Sequence, residues 1–175
     1  MIKKYVQYFK NMLKYVKSGG VVFVNVSFTQ PNKRLVGKTI FISGGTSGIG
    51  KNMAKTFMEE GATVIVSGRK EENLKALNAA YPEIHTIKWD IADIHSASDN
   101  IADLDKKYGP IDVFVNNAGV FDAASWDSIT EASFDKCADI NQKALFFMCQ
   151  AEGKYMVNHH IKGKIINITS IAGIK

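Results

Sequence analysis

The sequence predicts an α/β fold in which a parallel sheet is covered by helices on both faces. Three observations predict it. From Lys38 onward, short apolar runs alternate with helix-period segments, the pattern of parallel strands joined by right-handed crossovers. The first run, Thr39-Ile40-Phe41-Ile42, lacks the polar alternation of a half-exposed strand and reads as fully buried. That run leads into Ser43-Gly44-Gly45-Thr46-Ser47-Gly48-Ile49-Gly50, a glycine-rich strand-to-helix turn.

Residues 1–17 have the spacing of an amphipathic helix, with Ile2, Tyr5, Val6, Phe9, Leu13 and Val16 on one stripe. Lys3, Lys4, Lys10, Lys14 and Lys17 take most of the other face, and Gly19-Gly20 stops it. The stripe is modest and aromatic-rich, so docking on protein is the expectation rather than anchoring on a membrane. Residues 21–28 are β-branched and aromatic, hence a strand, and 30–34 form a linker. The expected division is a basic arm, 1–34, and a core domain, 35–175.

In the core, strands are expected at 38–43, 63–67, 85–89, 111–116 and 163–169. Helices are expected at 49–60, 71–80, 95–107 and 131–158. The 175 residues suffice for one domain with a real core. Residues 1–34 hold seven Lys or Arg and no acid, leaving 15 basic against 17 acidic groups elsewhere. The positive charge therefore belongs to the arm, and the body gives no reason to invoke nucleic acid. No apolar run is long enough to span a bilayer, and no signal peptide is recognisable. Cys137 and Cys149 lie too far apart on one helix to form a disulfide, and a reduced, cytoplasmic protein is expected.

Ligands in such sheets bind beyond the carboxyl ends of the strands. In the first turn, Gly44, Gly48 and Gly50 let the backbone turn tightly and let a pyrophosphate approach its N–H groups. The positive end of the following helix favours that anion. Gly44, Thr46, Ser47, Gly48, Ile49 and Gly50 are therefore candidate cofactor contacts. The second strand ends Ser67-Gly68-Arg69-Lys70, with no carboxylate for ribose hydroxyls and two cations for a 2′-phosphate. Arg69 thus favours NADP(H) over NAD(H). Asp90 and Ile91 end the third strand, where Asp90 could serve an adenine or simply a turn. Asn116, Asn117, Ala118 and Gly119 end the fourth, and 167–170, with the Ser170 hydroxyl, end the fifth.

In order and spacing these stretches, with Asn141 in Asp139-Ile140-Asn141, resemble the short-chain dehydrogenase/reductase family over residues 38–175. The resemblance implies a Rossmann-type sheet, NAD(P)(H), and hydride transfer between the nicotinamide and a carbonyl or alcohol. It matches Gly44, Gly48 and Gly50 to the family's phosphate loop and Asp90 to its adenine contact. Asn116, Ala118 and Gly119 match the motif beside the adenosine ribose. Asn141 matches an active-site Asn that helps hold a proton-relay water, and Ser170 the Ser that hydrogen-bonds the substrate oxygen. A small-molecule substrate and a homo-oligomer are implied for the complete enzyme.

The sequence departs from the family in one respect. The family's general acid is a Tyr with a Lys four residues on, beyond the active-site Ser. No Tyr here has Lys at that spacing; Tyr155 has His159, and both precede Ser170. Tyr155 is expected to be a partly buried helix residue, not a displaced acid. The fifth strand should form an open edge, and the helix at 131–158 should expose an apolar face. The chain thus reads as the N-terminal, cofactor-binding part of such an enzyme, inactive alone. The rival expectations are an interaction module that keeps nucleotide affinity, or a non-functional truncated product. Phe121, Asp122 and Trp126 are expected to border the substrate pocket.

Overall fold

The computed structural model describes residues 33–125 and 127–170. The helix and strand expected at 1–17 and 21–28 lie outside the described residues, as does Trp126. Five strands form one sheet: β1 (Thr39–Ser43), β2 (Thr63–Gly68), β3 (His85–Lys88), β4 (Val113–Asn116) and β5 (Lys164–Asn167). Every pairing is parallel and the order is β3-β2-β1-β4-β5. Helices fill the crossovers: α1 (Gly48–Glu59), α2 (Glu71–Ala80), α3 (Ala97–Tyr108), α4 (Glu131–Ala138) and α5 (Leu145–Asn158).

β1 is buried at all five positions because it is central and helices cover both its faces. Its side chains alternate between two cores. On one face Phe41, Ile65 and Phe114 pack with Ile101 and Leu104 of α3 and Met148 and Tyr155 of α5. Phe41 lies 5.3 Å from Trp89 and 5.9 Å from Phe114, and Phe114 lies 6.0 Å from Tyr155, so an aromatic row underlies the sheet. On the other face Ile40, Ile42, Val64, Val66 and Val115 pack with Ala54 of α1 and Leu77 of α2.

The segment expected as one helix over 131–158 contains a break of regularity. A π-helical turn, Asp139–Ala144, separates α4 from α5. A π turn is confined to a single stretch of six residues, Asp139–Ala144, and hydrophobic spacing read over a long window does not register it. The expected exposure of this segment is present: Phe134, Phe146 and Val157 are each more than 60% exposed. β5 pairs only with β4 among the described strands, and its Ile166 is 42% exposed. At the start of the body, Arg34 pairs with Glu60 at 3.2 Å and the Leu35 amide donates to the Glu60 carbonyl. No helix among the described residues is long and apolar enough to cross a membrane.

Candidate cofactor and active site

The order of strands reverses between β1 and β4, so the crossovers to either side diverge and leave a crevice at the strands' carboxyl ends. A cleft of about 330 Å³ lies there. Gly44, Thr46 and Ser47 line it from the β1 turn, and Asn117, Ala118 and Gly119 from the end of β4. Arg69 and Lys70 line it from β2, and Asp90 and Ile91 from the end of β3. The structure thus brings together nine of the cofactor candidates from four strands.

The other three cofactor candidates belong to the same turn without lining the cleft. Gly50 is buried, and a Cβ there would meet the Gly44 carbonyl at 2.8 Å and Asn117 Nδ2 at 2.5 Å. Gly44 has φ +64°, and its Cβ would meet the Ala118 backbone at 2.8 Å. These two glycines let the β1 turn press against the β4 end, a packing role beside the tight turn and phosphate approach expected of them. Gly48, with φ +53° and open space beside it, is the one free of neighbours. Ile49 is 64% exposed.

Side chains from both strand ends hold this arrangement. The buried Ser43 hydroxyl accepts from the amides of Asn117 and Ala118, both at 3.1 Å. Asn117 Nδ2 donates back to the carbonyls of Ser43 (3.1 Å) and Gly44 (3.0 Å). Sequence reasoning missed Ser43. Its one signal was a hydroxyl closing an otherwise apolar strand.

Two features of the crevice suit an anionic dinucleotide. Ser47 caps α1 in extended conformation without a side-chain cap bond, and the first turn holds no acid. The leading amides of α1 are thus left to an anion. At β2 no carboxylate lines the cleft, whereas Arg69 and Lys70 do. The buried Ser67 Oγ and Trp89 Nε1, from residues lining the same cleft, have no partner among the described residues. Asp90 is both cleft-lining and a turn former, since its Oδ1 accepts from the Ala92 amide at 3.1 Å.

The two catalytic candidates sit outside that cleft. Asn141 lies in the π turn, and its Oδ1 accepts from the Val120 amide (2.9 Å) while its Nδ2 donates to the Val120 carbonyl (2.7 Å). This pair of bonds fixes the loop after β4 against the helix. It leaves Asn141 one amide hydrogen and one lone pair for a water. Ser170, three residues beyond β5, is exposed. Phe121 and Asp122 border a second cleft of about 470 Å³ with Ser133, Lys136 and Cys137. Asp122 accepts from Ser133 Oγ and from the Ala124 amide, which hold its carboxyl below the usual range.

Tyr155 is buried, as expected of a structural residue. Its hydroxyl donates to Asp105 Oδ1 at 2.7 Å and accepts from the Ile111 amide at 3.1 Å. Burial, and the bond to Asp105, push its pKa up to about 12. A phenol so engaged is no general acid for a crevice ligand. Cys137 and Cys149 are both free thiols.

A parallel sheet with its crevice at the strand reversal, a glycine-rich turn before the first helix and no acid in that helix's first turn define an NAD(P)-binding fold of the Rossmann type. More narrowly, the chain belongs to the short chain dehydrogenase family, whose model matches residues 38–175. It is similar to galactitol 2-dehydrogenase of Agrobacterium fabrum, with 37% identity over 141 residues, 80% of this chain and 55% of that protein. It is similar to the 3-oxoacyl-[acyl-carrier-protein] reductase of Thermotoga maritima, with 34% identity over 81% of this chain and 58% of the relative. Among solved structures, a short chain dehydrogenase from Bacillus anthracis superposes with TM-score 0.72 at 32% identity, covering 76% of this chain and 55% of that one. A variant of ElxO with NADPH bound superposes with TM-score 0.73 at 29% identity, covering 79% and 57%. The chain thus spans a little over half the length of the relatives it matches.

Proposed function

We propose that residues 35–175 bind NADP(H) in the crevice and form the cofactor-binding part of an oxidoreductase acting on a small-molecule carbonyl or alcohol. The observation that carries this reading is the crevice itself: a glycine turn with open helix amides at one end and Arg69 with Lys70 at the other. The preference for NADP(H) over NAD(H) rests on those two cations and on the lack of a carboxylate at β2. The NADPH bound in the ElxO structure supports a nicotinamide cofactor in this crevice, and the names of the dehydrogenase and reductase relatives support an oxidoreductase.

When bound, the cofactor supplies or takes the hydride. In this reading the turn at 44–50 holds the pyrophosphate and Arg69 pairs with the 2′-phosphate. Asp90 and Ile91 border the adenine, and Asn117, Ala118 and Gly119 the adenosine ribose. Asn141 offers its spare hydrogen and lone pair to a water, and Ser170 donates to the substrate oxygen. A Tyr–Lys acid pair is absent from these 175 residues, and Tyr155 is occupied elsewhere. We therefore expect binding without turnover from this chain alone. A homo-oligomer belongs to the same reading, supported by the exposed Phe146 and Phe147 of α5. So does a cytoplasmic location, supported by two unpaired thiols.

The test is fluorescence titration with NADPH and NADH, followed by NADPH oxidation over a carbonyl panel with and without a segment carrying Tyr-x-x-x-Lys. Tighter binding of NADPH, and turnover that needs both the added segment and Ser170, are expected. Turnover by the chain alone, lost in Tyr155→Phe, would overturn the assignment of Tyr155. Binding with no rescue by any such segment would favour the second reading, a nucleotide-binding module without catalysis.

A further inference from the structure

Behind the crevice wall, a polar cluster lies in an otherwise apolar core. α5 packs on β4 and β5, with Met148, Tyr155 and Met156 buried in the core. Among them stands Glu152, 0% exposed. Its Oε2 accepts from Asn116 Nδ2 at 2.9 Å. The same amide lies 3.1 Å from Asn167 Oδ1 and 3.5 Å from Cys149 Sγ. Cys149 Sγ in turn donates to Asn167 Oδ1 at 3.5 Å. Asn116 and Asn167 end β4 and β5 and face each other in register. Among the described residues Glu152 Oε1 has no hydrogen-bond partner.

We propose that Glu152, buried as a neutral carboxylic acid, is a positioning residue that orients the Asn116 amide, the group linking the end of β4 to Asn167 of β5, and so sets the crevice wall at Asn117–Val120. The unpartnered oxygen argues for the neutral form. A carboxylate there would bury a charge against a single amide donor, whereas a neutral acid keeps that bond without the charge. Among the described residues no cation bonds to it from the surrounding elements. On α3, Asp105 is taken up by Tyr155 and approaches His159, and Lys106 pairs with Asp103. Before β4, Asp112 pairs with Lys38, and in the π turn Lys143 pairs with Asp139. Lys154 of α5 donates to Gln150, and Lys164 of β5 is exposed. The Cys149 thiol, three residues before it on α5, is pushed up by burial and by Glu152.

Burial raises the Glu152 carboxyl from its ordinary 4.5 to about 7, with Asn116 pulling it partly back. The folded state therefore holds a proton that the unfolded chain releases near pH 4.5. Stability is full below that value, falls as pH rises toward 7, and is flat above. The wall set by Asn116 weakens over the same window.

The test compares the full chain with Glu152→Gln, which keeps an amide-accepting oxygen but cannot ionise. Between pH 5 and pH 8 the wild-type melting temperature should drop by roughly 5–15 °C more than that of the variant. Infrared spectra near pH 6 should show a protonated-carboxyl band in wild type that the variant lacks. Equal pH dependence in both proteins, or no such band, overturns the proposal. The link to the crevice rests on the NADP(H) reading. NADPH affinity should weaken with pH more in wild type than in Glu152→Gln, and parallel pH profiles would overturn the positioning role. If neither protein binds NADPH at any pH, the cofactor reading fails, while the melts and the infrared band still decide the state of Glu152.

Discussion

β1 and β5 run the same way in one sheet, yet their surroundings differ. Every residue of β1 is buried, with strands on both sides and helices on both faces. β5 has a neighbour on one side only among the described strands, and none of its residues is fully buried. The nucleotide half is closed by its own packing: Ser43, Gly44, Gly50, Asn117 and Ala118 interlock through backbone bonds and contacts. The half carrying Ser170 hangs from an exposed strand beside a helix that shows Phe146 and Val157 to solvent. The two sides of the sheet are therefore of unequal self-sufficiency.

The largest effect should come from disturbing the closed half. Gly50→Ala would gain about 1 kcal/mol of helix propensity. It would also drive a Cβ to 2.8 Å from the Gly44 carbonyl and 2.5 Å from Asn117 Nδ2. Overpacking of this kind costs about 1–3 kcal/mol, and the loss of the Asn117 bonds adds to it. A net destabilisation of about 2–3 kcal/mol is expected from the urea midpoint, with weaker NADPH binding. A stabilised variant would show that the turn and β4 are not rigidly joined.

Next comes the charged end of the crevice. Arg69→Ala should weaken NADPH binding by about 1.5–3 kcal/mol, the worth of a charge-assisted hydrogen bond. NADH affinity and the melting temperature should not move, because Arg69 is exposed. Equal losses for both cofactors would break the assignment of Arg69 to the 2′-phosphate.

Tyr155→Phe probes the helix that joins the two halves. It leaves Asp105 and the Ile111 amide without their hydroxyl partner, at a cost of about 1–2 kcal/mol. Calorimetry should register that loss while NADPH titration stays unchanged. A collapse of cofactor binding would mean the open half supports the closed one more than the contacts suggest.

The smallest effect on stability belongs to the open half. Phe146→Ser alters a side chain 63% exposed, so the unfolding midpoint should shift by no more than about 0.5 kcal/mol. If that face is covered in an oligomer, sedimentation velocity should show dissociation or a smaller species. Unchanged sedimentation of a protein that is oligomeric throughout would place its interface elsewhere.

Much of the closed half was legible in the chain. The alternation of strands and helices and the apolar runs of β1 and β2 are local, periodic signals that need no partner to be read. So is the glycine turn, whose spacing carries its meaning within eight residues. Arg69, Asp90 and Asn117 could be assigned to one rim because parallel strands must end on the same side.

The rest depended on atoms brought together from far along the chain. Gly44 and Gly50 are needed for contact with residues some 70 positions away, so their packing role had no local signature. The π turn became visible only where Asn141 meets Val120. Glu152 had one clue, a carboxylate four residues from Met148 and three from Tyr155 on a buried face. That it meets Asn116, which in turn meets Asn167, and that one of its oxygens has no partner among the described residues, was decided by the tertiary structure alone. Periodicity reports which face of an element turns inward; the partner that each inward group finds is set by the packing of other elements.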